Sequence, residues 1–162
     1  MKMPVNQSGF TLIELMITLA VAIVFLAFGI PSFQILSHNN RVTSQTNAFS
    51  AFLQMARGEA IKRGHSVRIT STAGAGSNEW GGGAQMVDAT TAEVIAVLDP
   101  LPGNLTLDSS SDVTTLTFIS KGYLSPVPGG TFNVCKDNNG EKGTSFTINA
   151  VGKINTTSIT CN

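Results

Sequence analysis

Between Met3 and Asn40 the chain carries one formal charge, Glu14, near the start of an apolar run from Phe10 to Ile30. As a helix this run is about 32 Å long, the thickness of a bilayer's hydrocarbon core. An acid inside such a span costs about 2.5–3.5 kcal/mol on insertion scales, so it is rarely kept without a partner. A secretory signal would have a shorter apolar region with its cleavage site after it. Here the one plausible cut precedes the run, so a processed chain keeps its anchor. Lys2 is the sole basic residue ahead of the run, which favours a cytoplasmic N-terminus.

The junction reads Gly9-Phe10-Thr11-Leu12-Ile13-Glu14-Leu15-Met16. A short polar leader, Gly then Phe, and an acid early in an apolar helix resemble the class III signal of type IV pilins and pseudopilins. The resemblance implies that prepilin peptidase cuts after Gly9 and methylates the new amine of Phe10. It also implies that Glu14 meets the N-terminal amine of a neighbouring subunit during assembly. The plainer alternative is a single-pass membrane protein whose Glu14 sits at the interface.

Helical periodicity continues beyond the apolar run. Pro31 lacks a backbone donor and is expected to bend the helix at the bilayer surface. Beyond it Gln45, Phe49, Phe52, Leu53, Ala56 and Ala60 recur at three- and four-residue steps, an amphipathic stripe. Gly64 is a natural helix stop, preceded by Lys62 and Arg63 at the negative end of the dipole. The spacing predicts one helix over about 11–63. After it the period becomes that of strands, at 65–70, 93–98, 104–107, 113–119, 131–135, 145–150 and 153–159. Gly81-Gly82-Gly83, residues 100–104, 109–112 and 125–130, and an Asn138-Asn139-Gly140 hairpin turn punctuate them. A helix followed by about seven short antiparallel strands is an α+β pattern.

The total of 162 residues leaves about 100 for one globular core after the helix. Ten basic and ten acidic residues cancel overall but are segregated along the chain. Residues 41–68 hold five cations against Glu59 alone, residues 79–112 hold six acids and no Lys or Arg, and four lysines lie from Lys121 onward. Such a field suits docking of neighbours better than blanket nucleic-acid binding.

The segment from Phe52 to Arg63 reads FLQMARGEAIKR and resembles the helix end of the GspH/FimT family of minor pilins and pseudopilins. There the helix closes on a leucine-x-x-alanine-arginine-small-glutamate-alanine-x-lysine/arginine pattern before a strand that opens on valine. Glu79-Trp80, the Phe132-Asn133-Val134-Cys135 strand and Gly152-Lys153 also look like that family. The resemblance implies a type IV pilin-like fold, with a leader at 1–9, a transmembrane half-helix at 10–30, an amphipathic half-helix at 31–64 and a globular β domain at 65–162.

Cys135 and Cys161 lie on the exported side of the anchor, where an even pair is expected to form a disulfide. A metal site competes poorly, since His38 and His65 have no zinc-like spacing. The Gly74-x-Gly76 and Gly81–Gly83 stretches open no helix for a phosphate. Residues 137–141 fail the EF-hand spacing, and nothing orients a histidine for catalysis. No cofactor, metal or enzymatic activity is expected.

The family resemblance implies a minor pilin of the type IV pilus tip or initiation complex. Its partners would be other major and minor pilins, prepilin peptidase and the inner-membrane assembly machinery. It would sit in the inner membrane with a periplasmic C-terminal domain, then in the extracellular pilus tip. The runner-up is a tip DNA receptor for natural transformation, with Lys121, Lys136, Lys142 and Lys153 as candidate phosphate contacts. Family members of that kind carry a glycine-arginine-x-arginine motif; the matching positions here are Gly152, Lys153, Ile154 and Asn155, so the second cation is lost. A third reading is a type II secretion pseudopilin.

Overall fold

The computed structural model describes residues 9–76, 78–125, 129–136 and 140–161, and the backbone alone at 31, 32, 34 and 35. The expected leader apart from Gly9, and Asp137, Asn138 and Asn139 of the expected hairpin tip, lie outside the described residues. The chain divides into two units, one ending at His38 and one running from Asn39.

Helix α1 spans Leu12–Arg63, 52 residues. In the first unit its stretch Leu12–Ile30 has a mean hydropathy of 2.6, and none of it is buried. The backbone stays helical through Pro31.

In the second unit α1 buries one line: Val42, Thr46, Phe49, Phe52, Leu53, Ala56 and Ala60. Thr46 takes the place expected of Gln45, which is half-buried at the margin. Its hydroxyl donates to the Val42 carbonyl at 2.9 Å, so burial leaves no unpaired donor. The helix ends where Gly64 turns left-handed, at φ 68°, a conformation that costs a residue without Cβ nothing.

Eight strands follow: β1 Val67–Ser71, β2 Ala84–Asp88, β3 Val94–Leu98, β4 Leu105–Ser109, β5 Thr115–Phe118, β6 Thr131–Lys136, β7 Lys142–Ile148 and β8 Ile154–Thr160. They form two four-stranded sheets, β3-β2-β1-β5 and β4-β6-β7-β8, with every neighbouring pair antiparallel. The α+β reading stands, with one more strand than expected and the strands divided between two sheets. The added strand is β2, whose Gln85 and Asp88 dilute the β-former signal. Its alternation is nevertheless regular, with Ala84 and Met86 buried and Gln85 exposed.

The core joins the helix line to the inward rows of both sheets: Val67, Ile69, Met86 and Phe118 from one, Leu107, Phe132, Val134 and Phe146 from the other. Phe49 is its centre. Its ring lies 5.3 Å from Trp80, edge-on, 5.9 Å from Phe132 and 5.5 Å from Phe146. Phe132 and Phe146 are cross-strand partners and stack at 5.1 Å. Each such buried ring contributes about 1.5–3 kcal/mol of transfer free energy, which fixes both sheets to one helix face.

Candidate assembly site

The start of α1 holds the expected processing and assembly residues together. Gly9 and Phe10 are exposed just before the first turn. Thr11 occupies the N-cap and Glu14 the third helical position. The Glu14 amide donates to the Thr11 hydroxyl oxygen at 3.3 Å. In return Glu14 Oε2 accepts from the Thr11 amide at 3.1 Å and from its hydroxyl at 3.0 Å. This reciprocal cap satisfies orphan donors of the first turn and places the acid at the positive end of the dipole. Sequence reasoning gave Thr11 no role; the Thr-x-x-Glu spacing of a capping box is the signal that could have found it.

The second unit is built around the family-like residues. Glu79 is buried, and its carboxylate accepts from the Ser109 hydroxyl at 2.8 Å and the Ser109 amide at 3.3 Å. Burial, then a hydrogen bond with Asp108, pushes its carboxyl above the ordinary range. Trp80 donates its ring N–H to the Val113 carbonyl at 2.6 Å and its amide to the Leu107 carbonyl at 3.0 Å. The Glu79-Trp80 pair thus anchors a loop along the outer edge of β4 while the indole fills the core.

The helix-end motif does similar work on both sheets. Arg57 Nε donates to the Gly122 carbonyl at 3.0 Å, and Gln54 donates to the Gly152 carbonyl at 3.1 Å. A Cβ at Gly152 would lie 3.1 Å from Arg57 Cδ, so the arginine stem packs flat on that turn. Two turns, before β6 and before β8, are thereby tied to α1. Arg63 bonds Glu59 at 2.9 Å and Glu93 at 2.7 Å, and reaches buried Asp88 at 3.8 Å. The amides of Thr90, at 2.8 Å, and Thr91, at 3.1 Å, hold the Asp88 carboxyl below its ordinary value.

Cys135 and Cys161 form a disulfide with a Cα–Cα distance of 5.9 Å. The bond crosses β7 at Gly143, where a Cβ would stand 2.4 Å from one sulfur and 3.0 Å from the other. Sequence reasoning found the cysteines and missed Gly143, whose need depends on strand register.

The four candidate lysines do not converge. Lys121 and Lys153 adjoin the two glycine turns that touch Arg57. Lys142 pairs with Thr160 at the far end of β8 from Lys153, about 20 Å away by strand rise. Lys136 lies on β6 and pairs with Glu141 at 3.4 Å.

The family model described as type II transport protein GspH matches residues 45–152, which hold the helix-end motif, Glu79-Trp80 and seven full strands. The chain belongs to the GspH family. The prokaryotic N-terminal methylation motif matches residues 5–30, over the junction capped by Thr11 and Glu14. Comparison with curated proteins gives no sequence match. Among solved structures this GspH-family chain is similar to the type IV minor pilin FimU of Pseudomonas aeruginosa PAO1. The identity is 25% and the TM-score 0.65, over 78% of this chain and 99% of that one. A second crystal form of FimU gives a TM-score of 0.60 over 74% and 99%. The minor pseudopilin EpsH of the Vibrio cholerae type 2 secretion system shares the fold at 13% identity, with a TM-score of 0.56 over 73% and 97%.

Proposed function

We propose that this GspH-family chain is a minor pilin: a structural, non-enzymatic subunit of a type IV pilus, belonging to its tip or initiation complex. The observation that carries the reading is the N-terminal methylation motif running into an apolar 19-residue stretch of α1, on a chain whose fold resembles FimU over 78% of its length. Before assembly the apolar stretch anchors the chain in the inner membrane, with the headgroup in the periplasm. Prepilin peptidase cuts between Gly9 and Phe10 and methylates Phe10. The apolar faces from Leu12 to Ile30 then exchange lipid for the helices of major and minor pilins. The capped Glu14 carboxylate receives the Phe10 amine of a neighbouring subunit, so that neither charge is stranded in the bundle.

DNA reception fits less well. Phosphate contacts act together along one groove, whereas Lys153 and Lys142 lie at opposite ends of β8 and Lys136 is paired with Glu141. A secretion pseudopilin shares the anchor and differs in partners, and the match to EpsH is in fold alone. Quantitative proteomics of sheared pili tests the proposal. The chain should be present at far below the level of the major subunit, and its loss should reduce the number of pili. Absence from pili, with normal piliation in its absence, would overturn the reading.

A further inference from the structure

Four sheet edges are available in the second unit, and the chain covers two of them. Along β4, Leu107 receives the Trp80 amide on its carbonyl and gives its own amide to Asn78 Oδ1 at 2.7 Å. Along β5, the Ser125 amide donates to the Thr117 carbonyl and the Ile119 amide to the Tyr123 carbonyl. The third edge, β3, is short and paired through a register shift at Met86/Val87, an irregularity that discourages further pairing. The fourth edge is β8, and among the described residues it has none of these protections.

β8 pairs with β7 along its whole length without a shift. It reads Ile-Asn-Thr-Thr-Ser-Ile-Thr, with no charge and no proline, and five of its seven residues are exposed. The backbone bonds Cys161 N–H to Glu141 carbonyl and Asn149 N–H to Lys153 carbonyl set the phase of the ladder. Odd-numbered residues of β8 therefore face β7, and Ile154, Thr156, Ser158 and Thr160 turn both backbone groups outward. Among the described residues no backbone group of this chain meets them. The strand end is held by the Cys135–Cys161 bond and by the Gly140 amide on the Cys161 carbonyl, so the edge is an ordered template. Beside it a groove of about 230 Å³, lined by hydroxyl and amide side chains including Thr43, Asn47, Thr144, Thr156 and Ser158, accepts small polar groups from an added strand.

We infer that the outer edge of β8 docks an extended, uncharged segment of a different filament subunit, flanked by acidic residues. The outward ladder specifies an extended backbone, and the cations at both ends, Lys153 before β8 and Lys142 opposite Thr160, specify the flanks. A second copy of this chain does not fit. β8 itself carries no acid to meet these lysines in antiparallel self-pairing, and parallel pairing would stack Lys153 on Lys153. The flanking lysines thus oppose self-pairing and favour a partner of opposite sign. That the occupant is a filament subunit rests on the minor-pilin reading.

Zero-length carbodiimide coupling of sheared filaments carrying the full chain tests this. Lys153 or Lys142 should join to an Asp or Glu of a different subunit, bordering an uncharged segment. Ser158→Pro removes an outward N–H and spares the β7 ladder. It should abolish those cross-links and lower filament content at least about tenfold, with no free thiol at Cys135 or Cys161. If free thiols show that this variant misfolds, Lys142→Glu with Lys153→Glu carries the test through filament content, which should fall likewise. Unchanged content and cross-links in the folded variant, or coupling of Lys153 to another copy of this chain, would overturn the inference. Absence of the wild-type chain from filaments would instead remove the minor-pilin reading, and this inference with it.

Discussion

Thr11 and Glu14 cap α1 reciprocally: the Thr11 hydroxyl oxygen accepts from the Glu14 amide, and the Glu14 carboxylate accepts from the Thr11 amide and hydroxyl. The one acid of the apolar stretch is therefore aimed back at the segment where the proposed processed N-terminus would begin. Charge, helix start and proposed processing site lie in a single local arrangement.

Glu14→Ala should remove this chain from pili, because stranding one partner of a buried charge pair costs on the order of 3–5 kcal/mol. Thr11→Ala should weaken the first helical turn by about 0.5–2 kcal/mol, and Thr11→Ser should restore it. Filament content, with hydrogen exchange at the amides of residues 12–15 in detergent, checks both. Full incorporation of Glu14→Ala would mean that the carboxylate serves the cap alone.

The Cys135–Cys161 bond closes a loop with a sequence separation of 26, worth roughly 3–4 kcal/mol in the chain-entropy model. Reduction of a soluble fragment starting near residue 34 should lower its Tm by roughly 10–20 °C. Gly143→Ala places a methyl against both sulfurs and should expose titratable thiols in unreduced protein. A fully oxidised Gly143→Ala with native Tm would contradict the crossing.

Arg57→Ala should destabilise the second unit by about 1–2 kcal/mol, through the lost bond to the Gly122 carbonyl and the lost packing of its stem on Gly152. Arg57→Lys should recover part of the packing but not the directed Nε–H bond. Urea midpoints of the two variants should separate these contributions; equal midpoints would assign the whole effect to the Nε–H bond, and a lysine variant at the wild-type midpoint would assign it to the alkyl stem.

Two carboxylates give opposite pH dependence. Asp88 is held below its ordinary value of 3.8, first by the Thr90 amide. Its contribution is whole above 3.8 and fades as pH falls through the lowered value. Asp88→Asn should flatten this acid limb of the stability profile. Glu79, raised above 4.5 by burial, contributes fully below 4.5 and loses that contribution as pH rises through its raised value. Glu79→Gln should therefore gain on the wild type in urea midpoint between about pH 4.5 and 7. A constant difference would mean that Glu79 titrates as an exposed acid does.

The helix was legible almost to the residue because hydropathy, period and the Gly64 stop agree, and the family-like motif overlaps the Arg57 and Arg63 contacts. β2 was not, since Gln85 and Asp88 break the β-former pattern and the Gly81–Gly83 run reads as loop. The division into two sheets also escaped, because partner choice between strands depends on packing against Phe49 and on the loop anchored by Glu79 and Trp80. The lysines of the tail looked like one cluster in sequence. Strand length separates them, as it separates Lys142 from Lys153. The cap at Thr11 was missed, although its Thr-x-x-Glu spacing to Glu14 carries the signal.

The central claim is most directly tested by the intact mass and N-terminal peptide of this chain recovered from sheared pili. The chain should begin at Phe10, carry one methyl group on its amine and lack the nine leader residues. Recovery from pili of a chain still beginning at Met1, or starting at Phe10 without methylation, would contradict the account.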